Sequence, residues 1–437
     1  MTVIGLDDTD SRTQGMCTTY LATRVAESIV DAGGQVARTL LVRLNPAVKH
    51  KTRGNAALAI HTDLPVADAT GLAVEQIESL AVDTDARTSS GLVVADDDPA
   101  TVPDAVADFA AHAMGDQLSL ATAVDIADAA GYEHRGWAGE SDVVGRGRIG
   151  ALAAVGAWAA FDEWTYEQIA YREFDRCGSP REVDLDSVFA AADRGYPTVW
   201  DTVDREAGQA VCVPNAPGPI LYGIRGDDPD AVARVADAID SETVERTRCF
   251  VTNQGTDLHL QAGTLGSLHD GVAYRVDGVV TEPPETREGG HVFFTLGSPQ
   301  GDSPDDVDSA VTADCVAFEP TKRFRERVRS LRAGDRLTVC GEYSEGTIKL
   351  EKFAVRELTR TEQVTPTCPD CGRHMASAGT EQGYRCRDCG TSAAGLVGRS
   401  LDRDLEIGWY EVPPRARRHI AKPLVRGGFD APVHPER

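Results

Sequence analysis

Apolar positions along this chain recur with two periods, and the place where each dominates predicts the elements. Thr2–Leu6 reads as a short buried strand, and the stretch from Cys17 to about Ala32 repeats its apolar residues at helical spacing. Strands are expected near Ala37–Leu44 and Ala56–His61. Gly150–Phe161 (GALAAVGAWAAF) is apolar on all sides, as a buried helix is. The acidic stretch Asp96–Asp116 reads as a solvated face or an insertion. This is an α/β pattern whose topology the spacing leaves open.

From about Trp164 to His259 the order is clearer. YEQIAYRE is a strand, LDSVFAAADR a helix, PTVWDTVD and PGPILYGIRG strands, DPDAVARVADAID a helix and ERTRCFVTNQGTDLHL a closing strand. That βαββαβ order is the ferredoxin-like arrangement. From Gly271 to about Leu358 come five strands, GVAYRVDGVV, HVFFTLG, DSAVTADCVAF, DRLTVCGEY and TIKLEKFAVREL, with the helix TKRFRERVRSL between the third and fourth. This is the pattern of an OB-fold β-barrel. In that helix Phe324, Val328 and Leu331 form an apolar stripe. Lys322, Arg325, Arg329 and Arg332 form a basic one, either a solvated face or a ridge for phosphates.

Composition changes the picture chiefly through charge. The chain has 437 residues and a net charge of −25, and only six of its 44 basic residues are lysine. An acidic, lysine-poor surface is how a protein stays hydrated in molar salt, so a halophilic cytoplasm is expected. In such salt, fields are screened over about 3 Å, and the net charge neither supports nor excludes an RNA partner. No apolar run approaches the ~20 residues of a membrane span, and the N-terminus MTVIGLDD lacks a basic signal-like region. No membrane partner is therefore expected.

Of ten cysteines, six are scattered (Cys17, Cys177, Cys212, Cys249, Cys315, Cys340) and read mostly as reduced, buried residues. The other four form Cys368-x2-Cys371, fourteen intervening residues, and Cys386-x2-Cys389. Two such knuckles supply four thiolates for tetrahedral Zn²⁺, with no position left open for chemistry. Gly372 and Gly390 follow each knuckle and let backbone amides approach the sulfurs. Beyond the ribbon, Arg415, Arg417, Arg418, Lys422 and Arg426 face a single acid, Glu411, beside Trp409 and Tyr410. That segment is either a disordered tail or a contact for single-stranded RNA.

Four segments could carry chemistry. In GLDDTD a strand ends on Asp7, Asp8 and Asp10, hard oxygens suited to Mg²⁺ and through it to phosphates, or else a polar turn. Thr18 and Thr19 open the following helix, where unpaired N–H groups attract an anion or the threonines cap the helix. The loop after Arg43-Leu44-Asn45-Pro46 gathers Lys49, Lys51, Arg53 and Asn55, including two of the six lysines, which suggests an anion site. Gly145-Arg146-Gly147-Arg148-Ile149-Gly150 spells G-x-G-x-x-G before a single helix. Alone it is as much a tight turn as a phosphate loop, and the chain has no Walker lysine motif.

Together GLDDTDS…GMCTTY, RLNP…KTRGNAA, GRGRIGALAA, LYGIRG, TNQGTDLHL, the barrel and the four-cysteine ribbon resemble the archaeal tRNA(Ile) 2-agmatinylcytidine synthetase (TiaS) family over essentially the whole chain. The resemblance implies a multidomain α/β and α+β protein. It would comprise a kinase-like ATP/Mg²⁺ domain (1–162), a ferredoxin-like domain (163–265), an OB-fold (270–360), a zinc ribbon (361–395) and a basic tail (396–437). It implies an ATP-dependent ligase that phosphorylates the 2-oxygen of the wobble cytidine in the CAU-anticodon isoleucine tRNA. Agmatine then displaces that oxygen, so the anticodon reads AUA, and AMP is among the products. Carried over, Asp7, Asp8 and Asp10 are catalytic, and Thr18 becomes phosphorylated. Lys49, Lys51, Arg53, Asn55 and Gly145, Arg146, Gly147, Arg148 and Gly150 meet nucleotide phosphates. Tyr222, Asn253 and Asp257 are candidates for agmatine, while Lys322, Arg325, Arg329, Arg332, Arg415, Arg417 and Arg418 are candidates for tRNA; no DNA partner is expected. The competing readings are a non-catalytic OB/zinc-ribbon nucleic-acid binder and an ATP-dependent kinase of another substrate.

Overall fold

The computed structural model describes residues 1–11, 13–49, 51, 54–137, 139–140, 143–299 and 307–437. Arg53, expected at a phosphate, lies outside the described residues. The first part contains β1 (Thr2–Asp7), α1 (Thr18–Asp31), β2 (Val36–Arg43), β3 (Ala56–Thr62), α2 (Val66–Leu80), β4 (Gly91–Asp96), α3 (Asp104–His112), α4 (Leu120–Ala130), β5 (Glu133–Gly136) and α5 (Arg148–Ala160). Its strands are apolar at successive positions because both faces are covered. Val3, Leu40, Ala57 and Val93 point into one core with α3–α5, while Ile4, Leu41, Leu58 and Val94 point into another with α1 and α2.

The acidic stretch 96–116 is not an insertion. Within α3, Val106, Phe109 and Ala110 are buried against α5, and the acidic residues occupy the outer face. Its short apolar stripe was masked by the aspartates around it.

The second part contains β6 (Thr165–Arg172), α6 (Leu185–Gly195), β7 (Val199–Trp200), a ribbon of β8 (Val203–Asp204) and β9 (Gln209–Ala210), β10 (Ile220–Gly226), α7 (Pro229–Asp237) and β11 (Val244–Thr252). Its strands lie in the order β11-β6-β10-β7. The two parts share one nine-stranded sheet, ordered β5-β4-β1-β3-β2-β11-β6-β10-β7. The seam is a short parallel pairing of β2 with β11, Leu40 opposite Val251 and Leu41 opposite Thr252.

After β12 (Leu260–Gly263), a five-stranded barrel closes from β13 (Ala273–Thr286), β14 (Val292–Pro299), β15 (Val307–Ala317), β16 (Arg336–Ser344) and β17 (Thr347–Glu357). The closure runs β13-β14-β15-β17-β16 and back to β13. α8 (Arg323–Arg329) plugs it with Phe324 and Val328, and Leu331 follows them into the core. β18 (Thr361–Val364) and β22 (Val397–Ser400) then pair as a stalk that carries a small sheet of β19 (Ala376–Ser377), β20 (Tyr384–Arg385) and β21 (Ser392–Ala393). The chain finally returns to the barrel through β23 (Gly408–Glu411) on β17, and β24 (Val433–His434) on β23. The basic C-terminal segment is thus folded into the molecule. Among the described residues no helix is long and apolar enough to cross a membrane.

Candidate functional site

A cavity of about 310 Å³ opens between the two parts of the large sheet. Its lining brings together Asp7, Asp8, Asp10, Thr18, Lys51, Asn55, Arg146, Gly147 and Gly150, residues from four separated segments. Asp7 ends β1, and its Oδ1 accepts the backbone N–H of Asp8 at 2.7 Å. Asp8 stands in the left-handed region at φ 60°, a conformation that aspartate tolerates better than most residues and that often marks a working site. The Arg146 guanidinium donates to Asp8 Oδ2 at 2.7 Å.

The glycines of the G-x-G-x-x-G run let α5 press on the strand ends. A Cβ on Gly150 would stand 2.0 Å from Asp7 Oδ2, and one on Gly147 would stand 2.5 Å from the Asp7 carbonyl oxygen. The run therefore seats the Asp7 carboxylate against the first turn of α5. Gly145 and Arg148 do not line the cavity. Arg148 instead bonds the carbonyls of Gly145 (3.1 Å) and Val144 (3.2 Å), and its Nη1 lies 3.2 Å from His134.

Electrostatics single out the carboxylates. Burial, with Asp8 and Asp10 adjoining, holds the Asp7 pKa well above the usual carboxylate range. Burial pushes Asp8 up to about 6 although Arg146 pulls it down. Such a cluster is short of positive charge, and hard oxygens at the end of a strand are what a divalent magnesium ion binds. At the helix opening, Thr18 is buried and its Oγ1 accepts a hydrogen bond from Thr9 Oγ1 at 3.2 Å. Lys51 reaches the Pro46 carbonyl, and Asn55 Nδ2 donates to the Asn45 carbonyl at 2.9 Å. Lys49 is exposed and outside the cavity lining.

Several expected residues have other places. Tyr222 is a core side chain whose hydroxyl donates to the Ala236 carbonyl at 3.2 Å. Asn253 clasps the backbone of Arg43, accepting its N–H at 2.7 Å and donating to its carbonyl at 2.9 Å. Asp257 is held by Lys352 Nζ and the Lys422 N–H, both at 2.6 Å. None of the three lines the cavity; here they lock strands and segments together.

The basic C-terminal residues are likewise neutralised. Arg417 is buried between Asp201 and Glu411, the latter at 2.8 Å, which withdraws it from any RNA. Arg418 pairs with Glu342 (2.8 Å) and Glu351 (3.4 Å), and Arg415 lies 3.8 Å from Asp204. On α8, Arg325 is mostly buried on the Gly290 carbonyl. Lys322 and Arg329 are accessible though paired with Glu319 and Glu326, and Arg332 is exposed.

Sequence reasoning gave no role to Asp116, Glu167 or His419, all of which line the cavity beside Arg43. Glu167 within β6 and Gln254 in the turn after β11 are both buried, and both hold a guanidinium: Glu167 that of Arg225 (3.3 Å) and Gln254 that of Arg43 (3.1 Å). The two adjacent polar residues Glu167 and Gln168 inside a strand were the one available signal.

In the ribbon, the sulfurs of Cys368, Cys371, Cys386 and Cys389 all lie within 4.8 Å of one another. The knuckles repeat the same bonds: Cys368 N–H to the Arg373 carbonyl and Cys386 N–H to that of Thr391, both 2.8 Å. Four convergent soft ligands fit Zn²⁺. The other six cysteines are free thiols.

A recessed acidic cavity between two α/β parts, joined to a five-stranded barrel and a cysteine ribbon, defines a multidomain enzyme. Family models for the TiaS TCKD domain, the TiaS FLD domain and the TiaS C-terminal zinc ribbon domain match residues 3–72, 145–259 and 365–405. The chain is 59% identical over 467 residues to TiaS, the isoleucine-tRNA 2-agmatinylcytidine synthetase, of Haloquadratum walsbyi, covering 100% of each. It is 40% identical over 427 residues to that of Archaeoglobus fulgidus, covering 97% of each. Among solved structures, a complex of TiaS with its isoleucine tRNA and ATP superposes with a TM-score of 0.86 at 39% identity, over 100% of this chain and 99% of that one. A complex of TiaS with the same tRNA, AMPCPP and agmatine does so at 0.84 and 36%, again over 100% and 99%. The chain belongs to the TiaS family of isoleucine-tRNA 2-agmatinylcytidine synthetases.

Proposed function

We propose that this chain is an ATP-dependent ligase that joins agmatine to the 2-carbon of the wobble cytidine in the CAU-anticodon isoleucine tRNA, so that the anticodon reads AUA. The observation that carries this reading is the meeting of Asp7, Asp8, Asp10, Thr18, Lys51 and Arg146 on one cavity, in a chain of this family. A passive nucleic-acid binder has no use for recessed carboxylates whose pKa values burial raises.

The 2-oxygen of a pyrimidine leaves poorly, and phosphorylation makes it a good leaving group. Asp7, Asp8 and Asp10 would hold Mg²⁺, which when bound neutralises phosphate charge. Lys51 and Asn55 line the same cavity and would meet the phosphates, and the Thr18 hydroxyl, on the same lining, would receive one. Arg146 keeps Asp8 ionised and oriented. The target base must leave its stack to enter so recessed a site.

Agmatine's guanidinium needs a carboxylate. Outside the aspartate cluster the cavity offers Glu167, already engaged by Arg225, and Asp116, which is exposed to the cavity and unpaired among the described residues. We assign the guanidinium to Asp116 in place of Tyr222, Asn253 and Asp257.

We read residues 1–162 as a kinase-like domain and 163–265 as ferredoxin-like, which the β11-β6-β10-β7 order supports. The 1-2-3-5-4 closure of the barrel supports reading 270–360 as an OB-fold, with the ribbon in 361–395. The barrel, Lys322, Arg329, Arg332 and the ribbon would grip the tRNA, in the cytoplasm where that substrate resides. The test is incubation with the CAU-anticodon transcript, ATP, Mg²⁺ and labelled agmatine in high salt. Nucleoside mass analysis should show agmatine on cytidine only when all components are present, and unmodified cytidine throughout refutes the reading.

A further inference from the structure

The C-terminal segment enters the catalytic cavity. Among the cavity's lining residues is His419, contributed from beyond the ribbon and far from every motif that marks the site. Its backbone is fixed on both sides. The Gly255 N–H donates to the His419 carbonyl at 2.8 Å, and the Asp257 N–H donates to the Ile420 carbonyl at 3.1 Å. Asp257 in turn accepts the Lys422 N–H, while Arg417 is buried in its ion pairs two residues earlier. A segment so clamped holds its one cavity-facing imidazole at a set position. That imidazole is open to the cavity and makes no hydrogen bond among the described residues. Its immediate neighbours inside the segment are all committed to partners, so the open ring nitrogen is the exception that calls for a ligand.

We propose that His419 is a catalytic residue of the joining step, its imidazole nitrogen accepting the proton that the attacking primary amine sheds as it bonds to the pyrimidine carbon. The proposal rests on the ligase reading above. In that step the amine lone pair forms the N–C bond, and the C–O bonding pair departs with the phosphorylated oxygen as inorganic phosphate. One N–H pair stays on nitrogen, its proton passes to His419, and solvent in the cavity removes it. A strong base is not needed. A cationic nitrogen bonded to an electron-poor ring is far more acidic than a free alkylammonium ion, so a neutral imidazole suffices.

The surroundings keep the ring neutral. Arg225 from β10 and Arg43 from β2, together with burial, hold the His419 pKa well below the ordinary imidazole value. The Glu167 carboxylate of β6, which lines the same cavity, is already bonded to Gln254 and Arg225. The carboxylates of the aspartate cluster are occupied with Arg146 and phosphate handling, which leaves His419 as the available acceptor.

The test uses full-length His419→Ala and His419→Gln, with the melting midpoint and ATP affinity as controls for folding. Transfer of label from γ-labelled ATP reports the phosphorylation step, and agmatine incorporation reports joining. Joining should fall by about 10²–10⁴-fold in both variants while phosphate transfer stays within about twofold. Added imidazole should restore part of the joining rate of His419→Ala. Joining within about threefold of the parent in either variant overturns the proposal. So does an equal loss of phosphate transfer, or a His419→Ala enzyme that imidazole does not rescue. A parent chain that joins no agmatine in the same assay sinks the ligase reading itself, and the role of His419 with it.

Discussion

The Asp8 carboxylate and the Arg146 guanidinium meet at 2.7 Å although 138 residues separate them. The contact ties the end of the first strand to the loop that opens α5. It also sets the ionisation of the site, because Arg146 opposes the upward push of burial on Asp8, which still settles at about 6.

A pH dependence follows. On the role proposed above Asp8 acts as an anion, so the rate of the phosphate-transfer step should rise through about pH 6 and then level off. Arg146 lowers that pKa, so Arg146→Met should move the rising limb to higher pH and lower the plateau. The measurement is the pH profile of kcat/KM for ATP in parent and variant. An unmoved limb would show that another group controls it.

Asp7, raised further than Asp8 and without a guanidinium bonded to it among the described residues, costs stability at neutral pH. Its folded-state pKa lies above the unfolded value, so the favourable contribution of the protonated form is present at low pH and lost as pH rises through the folded pKa. At neutral pH, without divalent cations, Asp7→Asn should therefore raise the melting midpoint by a few degrees. The amide can still accept the Asp8 N–H, so the turn survives. Product formation should drop by at least about 10²-fold, and Mg²⁺ should no longer stabilise the protein. A lowered midpoint contradicts this account.

How much of this was legible in the sequence differed by element. The strand and helix order after Trp164 and the barrel were readable because short apolar, β-branched runs stand between turn residues, even where burial is continuous, as in β6 and β16. The ribbon was readable because cysteine spacing is a short-range signal. Asp7, Asp8 and the glycine run were visible as residues, but the reason for Gly150, an oxygen of Asp7 where a Cβ would stand, is a contact across 143 residues of chain. The basic C-terminal segment misled because its counter-charges are remote: Asp201 for Arg417, Glu163 and Asp227 for Arg426, Asp193 for Arg437. Local charge counting cannot see partners that only the fold supplies. The fusion of two parts into one sheet was equally hidden, since it rests on two residue pairs between β2 and β11.

Gly150→Ala tests the packing of that carboxylate. The added methyl would fall 2.0 Å from Asp7 Oδ2 and 2.7 Å from its Cγ, so either Asp7 turns away or α5 shifts. Stability should fall by about 1–3 kcal/mol, and activity by more than that loss alone explains. Calorimetry and ligation kinetics on the same preparation check both. Parent-like activity would mean that the Asp7 carboxylate is not held where the reaction needs it.

Asp116 should govern choice of amine. Asp116→Asn is expected to raise the KM for agmatine about tenfold or more, with little effect on a simple alkylamine that lacks the guanidinium. Kinetics with the two amines side by side decide the matter. An equal change for both would place Asp116 outside the guanidinium site.

The ribbon can be separated from catalysis, but not by truncation. Cutting the chain after residue 360 would also remove β23 and β24, the buried Arg417 and the cavity residue His419, so a dead protein would say nothing about RNA. The stalk offers a cleaner excision, because Val364 and Val397 face one another across β18 and β22. Replacing residues 366–395 with a short glycine-serine linker joins strand ends that are already paired. The excised protein should melt like the parent and bind ATP normally, yet lose tRNA affinity by about tenfold or more, as expected when a bound module of several phosphate contacts is removed. Stripping zinc with a chelator should reproduce that loss in the intact chain, since a four-cysteine ribbon does not hold its fold without metal. Filter binding of the isoleucine tRNA and calorimetric titration of an ATP analogue provide the two readouts. Undiminished tRNA affinity in both preparations would assign the grip to the barrel alone.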